Sequence, residues 1–290
     1  MRSTFLNEIR ISIRMSNVDR NTVHGFGLQW QDFDQFQAPT SELETIFKRY
    51  FDRFPWERIG RDSIGLDAGC GSARWAMFVA PRVGKLVCVD ASAGAVAVAR
   101  QRLQPFKNCE VHVCTLENTP VPDGSLDFAY CIGVLHYIPD PRAALAGIAR
   151  KLKPGAPFLV YVYYALDNRR LWFRTVWRLV DLGRRAIART PYRTRRYISD
   201  FIAMLVYLPL ARFSRLLEQI GFRVDGIPLS AYRNRCLYTM RTDCLDRFGN
   251  HLEHRFTRQQ FVELLNRCGF TDVAIPDDEP YWRAVAVRAA

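Results

Sequence analysis

Ser63-Ile64-Gly65-Leu66-Asp67-Ala68-Gly69-Cys70-Gly71-Ser72-Ala73-Arg74-Trp75 runs from an apolar segment to an acid, through a tight glycine turn, into residues able to start a helix. This is strand, turn and helix, with the turn at the strand's carboxyl end, where an open α/β sheet binds a nucleotide-like ligand. Gly69 and Gly71 can adopt positive φ and leave no Cβ between backbone and ligand. The pattern predicts a strand over 63–67 and a helix over 73–80.

Downstream, the same rhythm repeats. Lys85-Leu86-Val87-Cys88-Val89-Asp90 is an apolar strand ending in an acid, and Ser92 is placed to cap a helix over 92–103. Strands follow at 110–114 and 126–131. A helix over 141–152 opens on Pro141, Lys153-Pro154-Gly155 stops it, and 157–163 is the fifth strand. Short apolar strands alternating with helices predict parallel pairing with right-handed crossovers. Thr257 and Gln260 form a capping box for a helix to Cys268, ended by Gly269; strands at 271–275 and 282–287 complete the set. The expected fold is α/β: a Rossmann-like, doubly wound, mostly parallel seven-stranded sheet with an N-terminal extension and a helical insertion after the fifth strand.

That expectation divides the chain into an N-terminal aromatic and helical lid (1–60), a core (61–164), a basic helical insertion (165–256) and the last helix and strands of the core (257–290). In the extension, Val23-His24-Gly25-Phe26-Gly27-Leu28-Gln29-Trp30 and 33–36 are rich in aromatics and glycine. Ser41 with Glu44 makes a capping box for a helix to about Phe54. The extension reads either as a helix packed on the sheet or as an aromatic lid over a ligand.

Of the 290 residues 49% are apolar, enough for a sizeable core and against disorder. The first residues mix Arg2, Glu8, Arg10 and Arg14 with apolar ones and lack a signal-peptide block. The longest apolar run, 201–211, is about half the roughly 20 residues of a membrane span. Eight cysteines without a CxxC read as reduced thiols, and the expected location is cytoplasmic. The net charge of +12 is uneven: 165–256 holds 18 Arg, no Lys and 8 acids. The basic character therefore belongs to one module.

Asp90 stands 21 residues after Gly69, at the end of the second strand, where a carboxylate accepts ribose hydroxyls. Its alternative role is a helix-capping or loop acid. A dinucleotide and S-adenosylmethionine both fit such a site. The turn, Gly69-x-Gly71-x-x-Arg74, lacks the third glycine of the dinucleotide fingerprint, and Arg74 adds bulk where the helix should approach the strand.

Leu66-Asp67-Ala68-Gly69-Cys70-Gly71, Val89-Asp90-Ala91-Ser92, Leu126-Asp127-Phe128, Gly133-Val134-Leu135-His136-Tyr137-Ile138-Pro139-Asp140-Pro141 and Leu152-Lys153-Pro154-Gly155 strongly resemble class I S-adenosylmethionine-dependent methyltransferases. The resemblance is closest to the small-molecule branch that includes the ubiquinone-biosynthesis type enzymes. It covers about 60–163 and, more loosely, 257–288. It implies S-adenosylmethionine as cofactor, with Gly69 and Gly71 along its methionine portion, Asp90 on the ribose, Thr115 and Leu116 flanking the adenine, and the backbone of Cys131 and Ile132 near ribose and sulfonium. Asp67, Ala91 and Trp30 complete the candidate cofactor set. The family often has glycine where Ala73 stands, and an acid where Thr115 stands; Glu117, two residues on, is a substitute for the latter.

A sulfonium methyl is already activated, so alignment of nucleophile, methyl and sulfur is the main requirement. A base helps when the acceptor is a hydroxyl or a protonated amine. His136 and Tyr163 are the catalytic candidates; the alternatives are packing against the cofactor loop for His136 and pocket wall for Tyr163. Phe26, Tyr137, Tyr164 and Arg241 are the substrate candidates, and the faces of Phe26, Trp30 and Tyr137 suit a cation. His24, His251 and His254 lie outside these motifs, and no metal site is expected. The insertion reads in three ways: an apolar pocket with arginines for an acidic metabolite, a basic amphipathic helix on an anionic membrane, or a helical cap with solvated arginines.

The expected function is methyl transfer to oxygen or nitrogen of a small molecule, with insertion and lid shaping the acceptor pocket. A membrane-associated enzyme with a lipid- or quinone-like substrate is the alternative. A nucleic-acid-binding protein using the arginine-rich insertion is the alternative of another class, and a non-catalytic cofactor-binding scaffold is a further one. Nucleic acid is disfavoured, because the fourth strand lacks the Asn/Asp-Pro-Pro-Tyr/Phe signature. The sequence leaves the oligomeric state open.

Overall fold

The computed structural model describes residues 17–167, 169–278 and 282–290. The expectation about a signal peptide, and the first sixteen residues of the extension, lie outside the described residues. By backbone contacts the chain divides into two compact units. One comprises the described residues up to Asp32, of Glu44–Asn168 and of Leu252–Ala290; the other comprises Phe33–Leu43 and Arg169–His251.

In chain order the helices are α1 (Arg20–Asp32), α2 (Thr40–Phe51), α3 (Ala76–Val79), α4 (Ala93–Leu103), α5 (Pro141–Lys151), α6 (Leu171–Ala188), α7 (Tyr192–Ile202), α8 (Leu208–Gln219), α9 (Leu237–Gly249) and α10 (Arg258–Arg267). The strands are β1 (Ile64–Ala68), β2 (Lys85–Asp90), β3 (Cys109–Val113), β4 (Phe128–Ile132), β5 (Pro157–Tyr161), β6 (Phe270–Ala274) and β7 (Arg283–Arg288). They form one sheet in the order β3-β2-β1-β4-β5-β7-β6. The first five pair in parallel, and β7 runs antiparallel between β5 and β6.

Side chains alternate across the strands, and both faces are covered. Leu66, Ala68, Val87, Val89, Ala129, Cys131, Phe158 and Val160 pack on one face with residues of α5 and α10. Leu86, Cys88, Phe128, Tyr130 and Leu159 pack on the other with Phe47, Phe51, Val79 and Leu103. Two-sided burial explains why these strands read as unbroken apolar runs rather than alternating ones. The order reverses between β1 and β4, so the ends of β1, β2 and β4 open a crevice at that switch point.

One predicted element differs. The helix expected over 73–80 is only the four residues of α3, followed by a 3-10 turn over Ala80–Arg82. Ala73 sits at φ +57°, which delays the helix, and Pro81 curtails it. The aromatic and glycine-rich stretch 23–30 forms most of α1, in keeping with the packed-helix reading of the extension. Its glycines serve packing. A Cβ on Gly27 would stand 2.7 Å from Ser92 Oγ, and one on Gly94 would stand 3.0 Å from both Cα and O of Gly27. α1 and α4 therefore meet backbone to backbone.

The second unit has its own core of Ala203, Tyr207, Ala211, Met240, Cys244 and Phe248, against which Val180 and Ile187 of α6 pack. α7 and α8 are continuous through a π-helical turn at Ala203–Tyr207. Several arginines here are internal ties. Arg184 is buried, pairs with Asp181 at 2.6 Å and donates to the Asn250 carbonyl; Arg195 donates to the Gly249 carbonyl.

Candidate active site

The glycine turn is held from three sides within the first unit. Gly69 and Cys70 both donate their N–H to the Val89 carbonyl, at 2.8 and 2.9 Å. Gly71 N–H donates to Asp90 Oδ2 at 2.9 Å. Arg102, buried on α4, donates to the Ser72 carbonyl at 2.9 Å; no sequence signal marked it. Gly69 has φ +81° and Gly71 φ +54°. A Cβ on Gly69 would come within 2.4 Å of Val134, and one on Gly71 within 3.0 Å of the Trp30 indole. Glycine is thus required at both for conformation and for space.

Asp90 also accepts from Ser92 N–H at 2.8 Å, and Ser92 caps α4 as expected. Each carboxylate oxygen carries one backbone donor and keeps a lone pair, as ribose hydroxyls need. Burial raises the Asp90 carboxyl, opposed by the Ser92 and Gly71 amides. Asp67 is buried beneath the turn, and its Oδ2 has no hydrogen-bond partner among the described residues. Burial pushes its carboxyl up to about 8; the nearby Tyr130 hydroxyl lowers it and Asp90 raises it. A cradle two Cβ atoms would fill, with a buried carboxylate oxygen lacking a donor, fits a cationic, ribose-bearing cofactor such as S-adenosylmethionine.

Thr115 is buried, and its Oγ1 accepts from Asn118 Nδ2 at 2.8 Å. Leu116 begins the adjacent 3-10 turn, and the Glu117 carboxylate takes a hydrogen bond from Asn17. Ala91 follows Asp90 at the strand end. Cys131 and Ile132 end β4, where burial raises the Cys131 thiol and keeps it protonated.

Gly133, at φ +79°, turns the chain from β4 into a 3-10 turn carrying His136 and Tyr137. His136 is fully buried, and neither ring nitrogen has a partner among the described residues. Its imidazole stacks on Tyr163 at 3.9 Å between centroids. Burial lowers its pKa well below the usual value, and Arg255 and His254 lower it further. The imidazole is therefore neutral. Phe26 of α1 lies 5.0 Å from the Tyr137 ring. Trp30 lies on the glycine turn, with the Arg74 guanidinium 5.4 Å from its ring.

Leu252–Phe256 crosses beside these rings. His254 N–H donates to the His136 carbonyl at 2.8 Å and Phe256 N–H to that of Tyr163 at 3.0 Å. Arg255 lies over Tyr163 at 5.3 Å and pairs with buried Glu253 at 2.7 Å. The His254 ring nitrogen Nε2 is buried without a partner among the described residues. Sequence reasoning left His254 and Arg255 outside the site, because a long insertion separates them from every motif. Tyr164, one residue beyond Tyr163, faces elsewhere: its ring packs against Trp282. Arg241 belongs to the second unit, where its Nε and Nη2 donate to Asp200 Oδ1 and Oδ2, at 2.8 and 2.7 Å.

Comparison with known proteins bears on the domain and its fold. A family model described as a methyltransferase domain matches residues 66–160. An uncharacterized protein of Synechococcus sp. is 36% identical over 119 residues, covering 39% of this chain but only 28% of that protein. A ubiquinone biosynthesis O-methyltransferase of Xanthomonas oryzae pv. oryzae is 27% identical over 220 residues, 74% of this chain and 85% of the relative. Among solved structures, a chain of the complex between the Haloferax volcanii Trm112 methyltransferase activator and the putative methyltransferase superposes with a TM-score of 0.50 at 15% identity, covering 91% of this chain and 98% of that one; this likeness concerns the fold alone. The matched segment begins at Leu66 beneath the glycine turn and ends at Val160 in β5, and over it the chain carries a methyltransferase domain similar to S-adenosylmethionine-dependent methyltransferases.

Proposed function

We propose that the chain transfers the methyl group of S-adenosylmethionine to an oxygen or nitrogen of a small-molecule acceptor seated against Phe26, Tyr137 and Tyr163. The observation that carries this reading is His136: a fully buried imidazole just beyond the end of β4 whose two nitrogens have no partner among the described residues. Buried polar groups without partners are rare in folded proteins and await a ligand or water. A neutral imidazole can accept the proton that an acceptor hydroxyl or protonated amine must lose. A carbon acceptor has less use for it at the moment of transfer.

When bound, the cofactor supplies an activated methyl whose leaving group is a neutral thioether. The chain's residues do the rest. Gly69 and Gly71 admit the ligand to the backbone, Asp90 receives hydroxyl donors, and the rings of Phe26, Tyr137 and Tyr163 exclude water and favour positive charge. Similarity to a ubiquinone biosynthesis O-methyltransferase supports an oxygen acceptor. The test is incubation with methyl-labelled S-adenosylmethionine and a metabolite extract, followed by identification of the labelled atom. Label on oxygen or nitrogen is expected. Label on carbon, or none from extracts of varied origin, would remove the reading.

A further inference from the structure

In the second unit, α6 shows an apolar face on each side. Val180 and Ile187 point inward to the unit's core. Trp172, Val176, Leu179 and Leu182 follow at intervals of four, three and three, the spacing of a single helical face, and that face is turned to solvent. With Leu171 these side chains are 52–77% exposed. The apolar residues of α6 thus fall on two faces, Val180 and Ile187 on one and Trp172, Val176, Leu179 and Leu182 on the other. The outward stripe is not a core face left over from poor packing, because the inward face already supplies the core.

The pattern continues on α7, the π turn and α8. Tyr197, Phe201, Met204, Leu205, Phe213, Leu216 and Ile220 are all exposed. Clustered exposure on this scale marks an interaction surface. Its charge is one-sided. Arg178, Arg189, Arg193 and Arg215 are exposed along the same segment. The acids of 171–222 are Asp181, Asp200 and Glu218, and each is already in an ion pair, with Arg184 and Arg185, with Arg241 and with Arg233. The surface is thus apolar and cationic, with its anionic charge already matched.

We propose that the outward faces of α6 and of α7–α8 dock this protein onto an anionic lipid bilayer. Large apolar side chains with flanking arginines suit the headgroup boundary, where arginine stems run along the apolar layer and their heads meet lipid phosphates. Nucleic acid would use the cations and aromatic rings but has no place for Val176, Leu179, Leu182, Leu205, Leu216 and Ile220. The docking lies in the interface plane, since no helix among the described residues is long and apolar enough to cross a membrane. It stands apart from the methyl-transfer reading, because none of these residues belongs to the cofactor site.

The test is co-sedimentation of the full chain with phosphatidylcholine vesicles and with vesicles in which about one third of the lipid is phosphatidylglycerol. Binding to the anionic vesicles is expected to exceed binding to the neutral ones by about tenfold or more and to fall in high salt. The triple substitution Trp172→Glu, Leu179→Glu, Leu182→Glu should abolish it, and Arg178→Glu with Arg189→Glu should weaken it by about tenfold or more. Unchanged S-adenosylhomocysteine affinity in these variants, measured by calorimetry, shows that they remain folded. Failure to bind anionic vesicles, binding that survives the triple substitution, or a dimer in solution that the triple substitution dissociates would each overturn the proposal. Should the triple variant fail to fold, Leu179→Glu alone is read in the same assay, with the same two outcomes.

Discussion

The imidazole of His136 and the ring of Tyr163 are stacked, 3.9 Å apart with 18° between their planes. The contact holds the histidine at the carboxyl edge of the sheet without a hydrogen bond to either nitrogen among the described residues. His136→Phe preserves the stack and removes both nitrogens. Once the acceptor is identified, this variant is expected to lose about 10²- to 10⁴-fold in turnover, with S-adenosylhomocysteine affinity unchanged. Retention of turnover within a few-fold would return His136 to a packing role.

The same residue links stability to pH. Its pKa is lowered on folding, so below the unfolded value, about 6.5, the unfolded chain binds more protons than the folded one. The His136 contribution is therefore fully present above that value and is lost as pH falls below it. Thermal unfolding midpoints from pH 7.5 to 5.5 should decline less steeply in His136→Phe than in the parent chain. Parallel declines would contradict the buried neutral imidazole.

Asp67 works in the opposite direction. Its carboxyl is raised on folding to about 8, so the folded chain keeps a proton that the unfolded chain has released. Its contribution to stability is present below the unfolded value, about 3.9, and diminishes as pH rises to about 8. Asp67→Asn should flatten that slope. A positively charged cofactor favours the ionised carboxylate, so binding of S-adenosylmethionine near pH 7 is expected to release a proton from the parent chain and not from Asp67→Asn. Calorimetry in two buffers of different ionisation enthalpy measures this; equal proton release in both proteins would exclude Asp67 as the source.

Two glycines in helices should respond oppositely to alanine. At Gly183, in α6, an added Cβ meets nothing within 4 Å, so only helix propensity acts, and Gly183→Ala should stabilise by about 0.8–1 kcal/mol. At Gly94 the same propensity gain opposes a contact of 3.0 Å with the Gly27 backbone, which cannot yield as a flexible side chain would. Overpacking costs about 1–3 kcal/mol, so Gly94→Ala should destabilise on balance. Because α1 carries Trp30, Gly94→Ala should also weaken cofactor binding. Denaturant midpoints for the two variants decide the signs.

The sheet was legible because β1, β2, β4 and β5 are buried on both faces and announce themselves as apolar runs between turn signals. The glycine turn was legible because glycine, aspartate and strand end fall at fixed spacing along one local stretch. Between the two readings of 23–30 the sequence could not choose, because the reason for glycine at position 27 lies in α4, which no local pattern reveals. His254 and Arg255 escaped because the insertion separates them in sequence from His136 and Tyr163, and main-chain hydrogen bonds bring them together.

Arg74 supplies the last prediction. It stands where a dinucleotide fingerprint has its third glycine, and its guanidinium lies 5.4 Å from the Trp30 ring and 4.5 Å from the Trp75 ring. The same Trp30 indole lies against Gly71, so the cation is held beside the cofactor turn by aromatic faces. A guanidinium so placed suits the carboxylate of the cofactor's methionine portion, as a charge-assisted pair. Arg74→Ala is expected to weaken S-adenosylhomocysteine binding by about 10- to 100-fold, the effect of losing such a pair at about 1.4 kcal/mol per decade. Methylthioadenosine, which lacks the amino-acid group, should bind parent and variant alike. Equal losses for both ligands would mean that Arg74 acts by steadying Trp30 and Trp75 and not by meeting the carboxylate.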